Sequence, residues 1–406
     1  MNKITSTQRI SVVRDRYVLI DAVRGFALFG VFLSNFYWTS QWVSTPSELA
    51  LNVYGASANN FLWFIHETFT SWKFLSIFSI LFGLGFAIMI ERIEEKGLNS
   101  TVYFTRRLFV LLIIGIIHVC FLWYGDILHL YAALGFLLLA LRRLSNKAIL
   151  RISFIFIIAV PADIDLLFSL QPQTIISVPD RTTEFFKLFT STSYLVMIRG
   201  NIEVYHDFQM NEGLRLWTSV FGRLLFGFWL GRQALLQYSK ENLAFWKRIA
   251  FWCISIGVNT NLQAVIINRF TGNSIWNSAG PLYMVLVRGV FVPAQMALGL
   301  GYIALLVVLW EAGHKRVLGW LAAVGRMALT NYLIQSVLIV FFLNGIGLNL
   351  LGKLSMVLIL ALVIILYSLQ MFASIYWLKH FTFGPIEWIW RTLTYRYLQP
   401  FRLSKV

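Results

Sequence analysis

The sequence predicts an all-α fold: a polytopic helical membrane protein of about ten transmembrane helices, with both termini in the cytoplasm. Three observations predict it. Of 406 residues, 58% are hydrophobic and 13% charged, about half the charged share of a soluble domain. Mean hydropathy is +0.70, so polar residues are too few to cover a soluble surface of ordinary make-up. The apolar residues fall in runs near the length of a bilayer crossing, and the basic residues alternate between the segments that join those runs. A soluble enzyme, a disordered chain and a secreted disulfide scaffold are thereby excluded. Cys120 and Cys253 both lie in apolar runs, so neither a disulfide framework nor a zinc cluster is expected.

The elements follow in order. Residues 1–17 form a basic cytoplasmic segment carrying Lys3, Arg9, Arg14 and Arg16. The run after it is too long and wrongly flanked for a cleaved signal peptide. A single transmembrane domain covers 18–378, with apolar spans at roughly 18–38, 72–90, 108–124, 126–141, 149–170, 214–231, 249–267, 280–310, 327–344 and 355–378. The third and fourth spans are short and joined by a tight turn at Tyr124–Gly125. The fifth carries Pro161, Asp163 and Asp165, so its outer end is expected to break or to leave the membrane there. The eighth holds Pro281, Arg288 and Pro293 and reads either as one tilted helix or as a re-entrant piece plus a helix. An outer loop at 171–213 contains the aromatic stretch Phe185–Tyr194, which suits the membrane surface. Residues 379–406 form a basic cytoplasmic tail.

The sides come from counting Lys and Arg in successive segments outside the spans. The series is 4, 0, 4, 0, 4, 3, 4, 1, 3, 1, 5, which alternates as ten spans with cytoplasmic ends require. The same count disposes of nucleic acid as a partner. The net charge is +16, but it sits in short clusters between apolar runs instead of on one face of a domain. The predicted location is the bacterial cytoplasmic (inner) membrane, multi-pass.

Polar groups inside the spans are costly in lipid and therefore mark candidate sites. Asp21 and Arg24 are three apart and can pair on one helix face. Asn35 lies eleven residues beyond Arg24, three turns and about 16 Å further along the same face. His66, Glu67 and Lys73 sit at the outer start of the second span, followed by the small residues Ser76, Ser79, Gly83 and Gly85, which permit close helix packing. His118 lies deep in the third span. Asp126 and His129 are spaced i, i+3, so the carboxylate can orient the imidazole as a general base needs. These three are expected to converge at the outer rim; the bland reading is an interfacial His satisfied by its carboxylate. Near the ninth span, GRMALTNYLIQS puts Arg326 and Thr330, and Asn331 and Gln335, at i, i+4 spacing, which serves either a site or helix–helix hydrogen bonding. In the tail, FGPIEWIWR reads as an interfacial helix with a structural Glu387–Arg391 pair. The histidines lack metal-ligand spacing, so no metal is expected.

Four runs together carry a resemblance: LIDAVRGFALFGVFLSNF (Leu19–Phe36), KFLSIFSILFGLGFAI (Lys73–Ile88), GIIHVCFLWYGDILHLYAALG (Gly115–Gly135), and GRMALTNYLIQS with the tail FGPIEWIWR. Over nearly the whole chain the sequence resembles the YeiB-like family of bacterial inner-membrane proteins (domain of unknown function 418). That family is grouped with transmembrane acyltransferases related to heparan-alpha-glucosaminide N-acetyltransferase. The resemblance implies transfer of acetyl from cytoplasmic acetyl-CoA to a sugar on the other side. Arg24, Gly25 and Asn35 fit the Arg-Gly…Asn spacing of those enzymes, and His66 takes a position similar to their catalytic His, with a longer interval after Asn35.

Two readings from different classes follow. In the first, a membrane acyltransferase docks the phosphates of acetyl-CoA or another acyl-CoA on Arg24, Arg106, Arg107, Arg142, Arg143 and Arg326, with Asn331 and Gln335 nearby. His66, or His118 or His129, takes the acceptor's proton, with Asp126 orienting, and Asn35 holds the developing oxyanion. The partners would be membrane lipids and an envelope sugar or lipid acceptor, with a homodimer open. In the second, the protein is a transporter or lipid handler without chemistry, its buried charges marking a path. The sequence has no evident inverted repeat, which counts mildly against a transporter.

Overall fold

The structure, a computed structural model, describes residues 17–41, 57–170, 181–271 and 281–403. The basic run at 1–16, most of the first stretch of the 171–213 loop, and the side chains of Asp165 and Arg288 lie outside the described residues. The described chain is helical, with α1 Val18–Gln41, α2 Ser57–Phe69, α3 Lys73–Glu94, α4 Ser100–Phe121, α5 Leu128–Leu141, α6 Asn146–Phe154 and α7 Val160–Leu170. Then come α8 Thr182–Thr190, α9 Tyr194–Phe208, α10 Leu214–Arg232, α11 Leu243–Thr271, α12 Pro281–Glu311, α13 Lys315–Arg326, α14 Ala328–Leu343, α15 Met356–Trp377 and α16 Pro385–Tyr395.

Helices lie over all ten expected runs. Six stretches are long and apolar enough to cross a membrane by length and composition, and a seventh results if α13 and α14 count as one bent span. The remaining expected spans fall short for identifiable reasons. Helix α5 has 14 residues, about 21 Å of rise. Helix α10 carries Arg215, Arg223 and Arg232. The fifth run is interrupted, but not where the sequence suggested. A π-helical turn at Ile155–Ala159 separates α6 from α7, and the helix then continues past Pro161 and Asp163 to Leu170. Pro161 lacks an N–H and its ring crowds the carbonyl four residues back, which falls in that π turn, where the widened ladder accommodates it. The eighth run is one unbroken helix of 31 residues with Pro293 inside it; no re-entrant break occurs.

Close backbone approaches set the packing. Helices α1 and α13 cross at Gly25 and Gly325. A Cβ at Gly25 would strike the Leu321 carbonyl, and one at Gly325 the Asp21 carbonyl. Helices α3 and α10 cross in the same way at Gly83, against the Leu224 carbonyl. Ser79 is fully buried and shares a hydrogen bond with the Tyr131 hydroxyl at 3.1 Å. The run of small residues thus serves packing, as such residues do between membrane helices.

Only part of the outer-loop aromatic stretch lies on the surface. Phe185 and Phe189 are buried in the main apolar core beside Tyr124 and Leu343, while Tyr194 and Leu195 remain exposed. Helices α8 and α9 are clasped by Arg181, which donates to Glu184 Oε2 at 2.9 Å, Asp207 Oδ1 at 2.9 Å and Glu203 Oε2 at 2.5 Å. Their apolar sides therefore face inward, over one end of the bundle.

Candidate functional site

A cavity of about 520 Å³ runs between the helices, within the ~300–1,000 Å³ usual for small-molecule sites. Its wall on α3 is the stripe Phe74, Phe78, Leu81, Phe82, Gly85, Phe86 and Met89. Those residues share one helix face and extend about 22 Å, most of a bilayer core. Helix α4 adds Phe104, Arg107, Leu108 and Leu111, again one face. Helix α1 gives Arg24 near one end and Asn35 and Trp38 near the other, and α16 gives Glu387, Trp390 and Arg391.

At the end expected to face outward, His66 lines the cavity and is 5% exposed. Its Nδ1 lies 3.3 Å from Glu67 Oε1, while its buried Nε2 has no hydrogen-bond partner. Tyr37 packs against the imidazole at 4.4 Å between ring centres. Lys73 donates to the Glu67 carbonyl at 2.5 Å and holds the start of α3 to the end of α2. Thus one imidazole nitrogen of the wall residue His66 is left without a hydrogen-bond partner.

The cavity wall holds a second polar group. Asp126 Oδ1 accepts from His118 Nδ1 at 2.8 Å, and Oδ2 from the His129 backbone N–H at 2.9 Å and its Nδ1 at 2.6 Å. His129 Nε2 is 2.9 Å from the Tyr205 hydroxyl. The expected convergence of His118, Asp126 and His129 is therefore present. Asp126, His129 and Tyr205 line the cavity; His118 lies behind them.

The other end is basic. Arg107 stacks on Trp390 at 3.5 Å, and the charges of Arg24 and Arg391 act on it. Arg24 donates to Asp21 Oδ1 at 3.1 Å, the pairing expected from their spacing. A methyl at Gly85 would sit 3.0 Å from Arg24 Nη2, so this glycine leaves the guanidinium its room. Arg326 reaches the cavity and donates to the Thr382 carbonyl at 3.0 Å.

Other candidate residues sit elsewhere. Arg142 donates to the Leu139 carbonyl and Thr101 Oγ1, closing the end of α5. Arg143 is exposed, and Arg106 is not among the residues lining the cavity. Asn331 donates to Ser374 Oγ at 3.0 Å and Gln335 to Gln370 Oε1 at 3.1 Å. These two join α14 to α15, which is the packing alternative their spacing allowed. Arg326 and Thr330 do not share a helix face, because the chain bends by 77° between α13 and α14. Thr330 instead donates to Glu387 Oε2 at 2.5 Å. The expected Glu387–Arg391 pair gives way to that contact: Glu387 lies against α14, and Arg391 stacks on Phe383 at 4.4 Å.

Sequence reading missed the tail helix as a cavity wall and missed Tyr205 altogether. The Trp388/Trp390 pattern did signal that α16 lies against something apolar. For Tyr205 no signal existed, because 76 residues separate it from His129.

A helical membrane protein folded around a largely apolar cavity with polar ends is the class these features define. Residues 230–397 match the family described as "Protein of unknown function (DUF418)". The chain is 27% identical over 412 residues to "Uncharacterized protein YxaH" of Bacillus subtilis, covering 97% of this chain and 98% of that protein. It is 29% identical to "Uncharacterized 39.9 kDa protein in amylase 3'region" of Bacillus acidopullulyticus, covering 96% and 97%. It is 28% identical to "Uncharacterized protein YeiB" of Escherichia coli, covering 95% and 98%. No solved structure matches. The chain is thus similar to YeiB and its relatives over nearly its whole length, and to the DUF418 family model over residues 230–397.

Proposed function

We propose that the chain is a membrane acyltransferase that moves an acyl group, acetyl in the simplest case, from cytoplasmic acyl-CoA to a hydroxyl or amine of an envelope sugar or lipid. One observation carries this reading: a single cavity is lined by arginines at one end and at the other by His66, whose Nε2 has no hydrogen-bond partner. The reading takes the ten-helix topology in the bacterial inner membrane, with both termini cytoplasmic, so that the arginine end faces inward.

The residues suit the chemistry of the donor. Guanidiniums of Arg24, Arg107, Arg326 and Arg391 offer fork-shaped donors to phosphate oxygens. The apolar middle at Phe78, Phe82, Leu108 and Leu111 suits an uncharged arm. At the far end, His66 Nε2 takes the proton from the acceptor O–H or N–H as its heteroatom bonds to the thioester carbon. Asn35, on the same wall, donates to the developing oxyanion. The C–S bond then breaks, and the thiolate leaves and takes up the proton released through His66.

The test is acetyl-CoA binding to the purified protein by calorimetry, followed by transfer to an acceptor extract. Micromolar binding in wild type and His66→Ala alike, with transfer lost only in His66→Ala, supports the reading. No binding of acetyl-CoA or CoA at millimolar concentration overturns it. Gradient-driven solute movement without thioester consumption would instead assign the same path to a transporter.

A further inference from the structure

The group formed by Tyr205, His129, Asp126 and His118 goes beyond the base just assigned. The Asp126 side chain has no exposed surface. Among the described residues its only ionisable contacts are the two imidazoles, and no Lys or Arg reaches it. A buried carboxylate without a countercharge is costly, and a proton on one imidazole removes that cost.

Geometry says which imidazole holds it. His118 Nε2 is buried with no partner, so a proton there would be an unsatisfied buried donor, which is costly. His129 Nε2 faces the Tyr205 oxygen at 2.9 Å. A proton there is donated at once. The 2.6 Å contact from His129 Nδ1 to Asp126 Oδ2 is short, just under the ~2.7–2.9 Å of a charge-assisted N–H···O bond. With His129 donating, the Tyr205 oxygen is an acceptor, and its own O–H turns either to Gln209, its other hydrogen-bond partner on the cavity wall, or to a group in the cavity.

We infer that Tyr205 is a further catalytic residue, whose hydroxyl donates to the acyl carbonyl oxygen and is strengthened by a doubly protonated His129 held by Asp126. His118 is a positioning residue: its bond to Oδ1 stops the carboxylate from turning away from His129. No proton is lost in this role. The hydrogen bond shortens as the carbonyl oxygen gains charge and relaxes when the C–S bond breaks. The division of labour is a base at His66 and a charged donor at Tyr205, two ionisable environments set to opposite tasks. The catalytic part of this inference rests on the acyl-transfer reading; the charge state of His129 does not.

Two measurements test it. Nitrogen NMR of histidine-labelled protein at neutral pH, with the His129 signal assigned by its loss in His129→Gln, should show both ring nitrogens protonated. A neutral His129 overturns the inference even if no transfer is ever found. In the transfer assay, Tyr205→Phe should lower kcat by about 100-fold, the usual effect of one lost oxyanion donor, with acetyl-CoA affinity within about twofold as proof of folding. Fluorinated tyrosine at position 205, a better donor, should keep or raise the rate. Undiminished kcat in Tyr205→Phe overturns the catalytic role.

Discussion

Glu387 Oε1 accepts a hydrogen bond from the Leu329 backbone N–H at 2.6 Å, across 58 residues of chain. The same oxygen accepts from the Thr330 N–H at 3.0 Å. The residue at the N-cap of α14, Met327, has no side chain able to cap. The carboxylate from the tail therefore supplies the cap that the bend between α13 and α14 leaves open.

Removing that cap should be felt throughout the bundle. Glu387→Ala is expected to cost about 0.5–2 kcal/mol, as helix-cap losses do, seen as a lower melting temperature in detergent. Glu387→Gln should lose less. Burial, the larger cause, raises the Glu387 carboxyl above its ordinary 4.5, against hydrogen bonds from Thr330. A carboxyl raised in the folded state binds its proton more tightly there, so its contribution to stability falls as pH rises from 4.5 through the folded value. Glu387→Gln should remove that fall; an identical slope in both proteins would refute the assignment.

The α8–α9 clasp titrates with the opposite sign. The Arg181 hydrogen bond holds Glu184 below its ordinary 4.5. Its stabilising contribution is therefore present above 4.5 and is lost as pH falls through the lower folded value. Amide exchange in α8 and α9 should speed up in that acid range before the transmembrane helices change. Arg181→Gln should show the faster exchange already at neutral pH.

At the basic end, Arg107→Gln removes a guanidinium that stacks on Trp390 and faces the cavity. Acetyl-CoA affinity is expected to drop about tenfold, equivalent to ~1.4 kcal/mol. Arg143→Gln, exposed and away from the wall, should bind as wild type. Equal losses in both would mean that the arginine end is not the docking end.

The crossing of α1 and α13 should tolerate no side chain. At Gly25 and Gly325 a methyl meets backbone carbonyls that cannot turn aside. Gly25→Ala is expected to cost about 1–3 kcal/mol, the range for overpacking, whereas Gly319→Ala, with open space around its Cβ position, should be neutral. Thermal stability in detergent distinguishes the two.

How much could be read beforehand follows from how local each feature is. The Asp21–Arg24 pair and the His129–Asp126 contact lie within one turn, and spacing alone exposed them. Helix positions followed from apolar runs. The 77° bend escaped notice because no Pro or Gly occupies the junction at Met327. The Glu387 carboxylate that caps the helix after the bend is remote in the chain. The roles of Arg142, Asn331 and Gln335 were ambiguous for a related reason. A polar residue in a membrane helix serves a site or a neighbour with the same composition, and only the partner distinguishes them.

The capping of α14 by Glu387 also has a consequence for how the protein comes into being. One wall of the cavity, at Glu387, Trp390 and Arg391, is made of residues that leave the ribosome after every apolar helix. During synthesis the bundle can insert and pack its glycine crossings while the arginine end still gapes and the first turn of α14 lacks its cap. The cavity is closed there last, by a segment that itself need not enter the lipid.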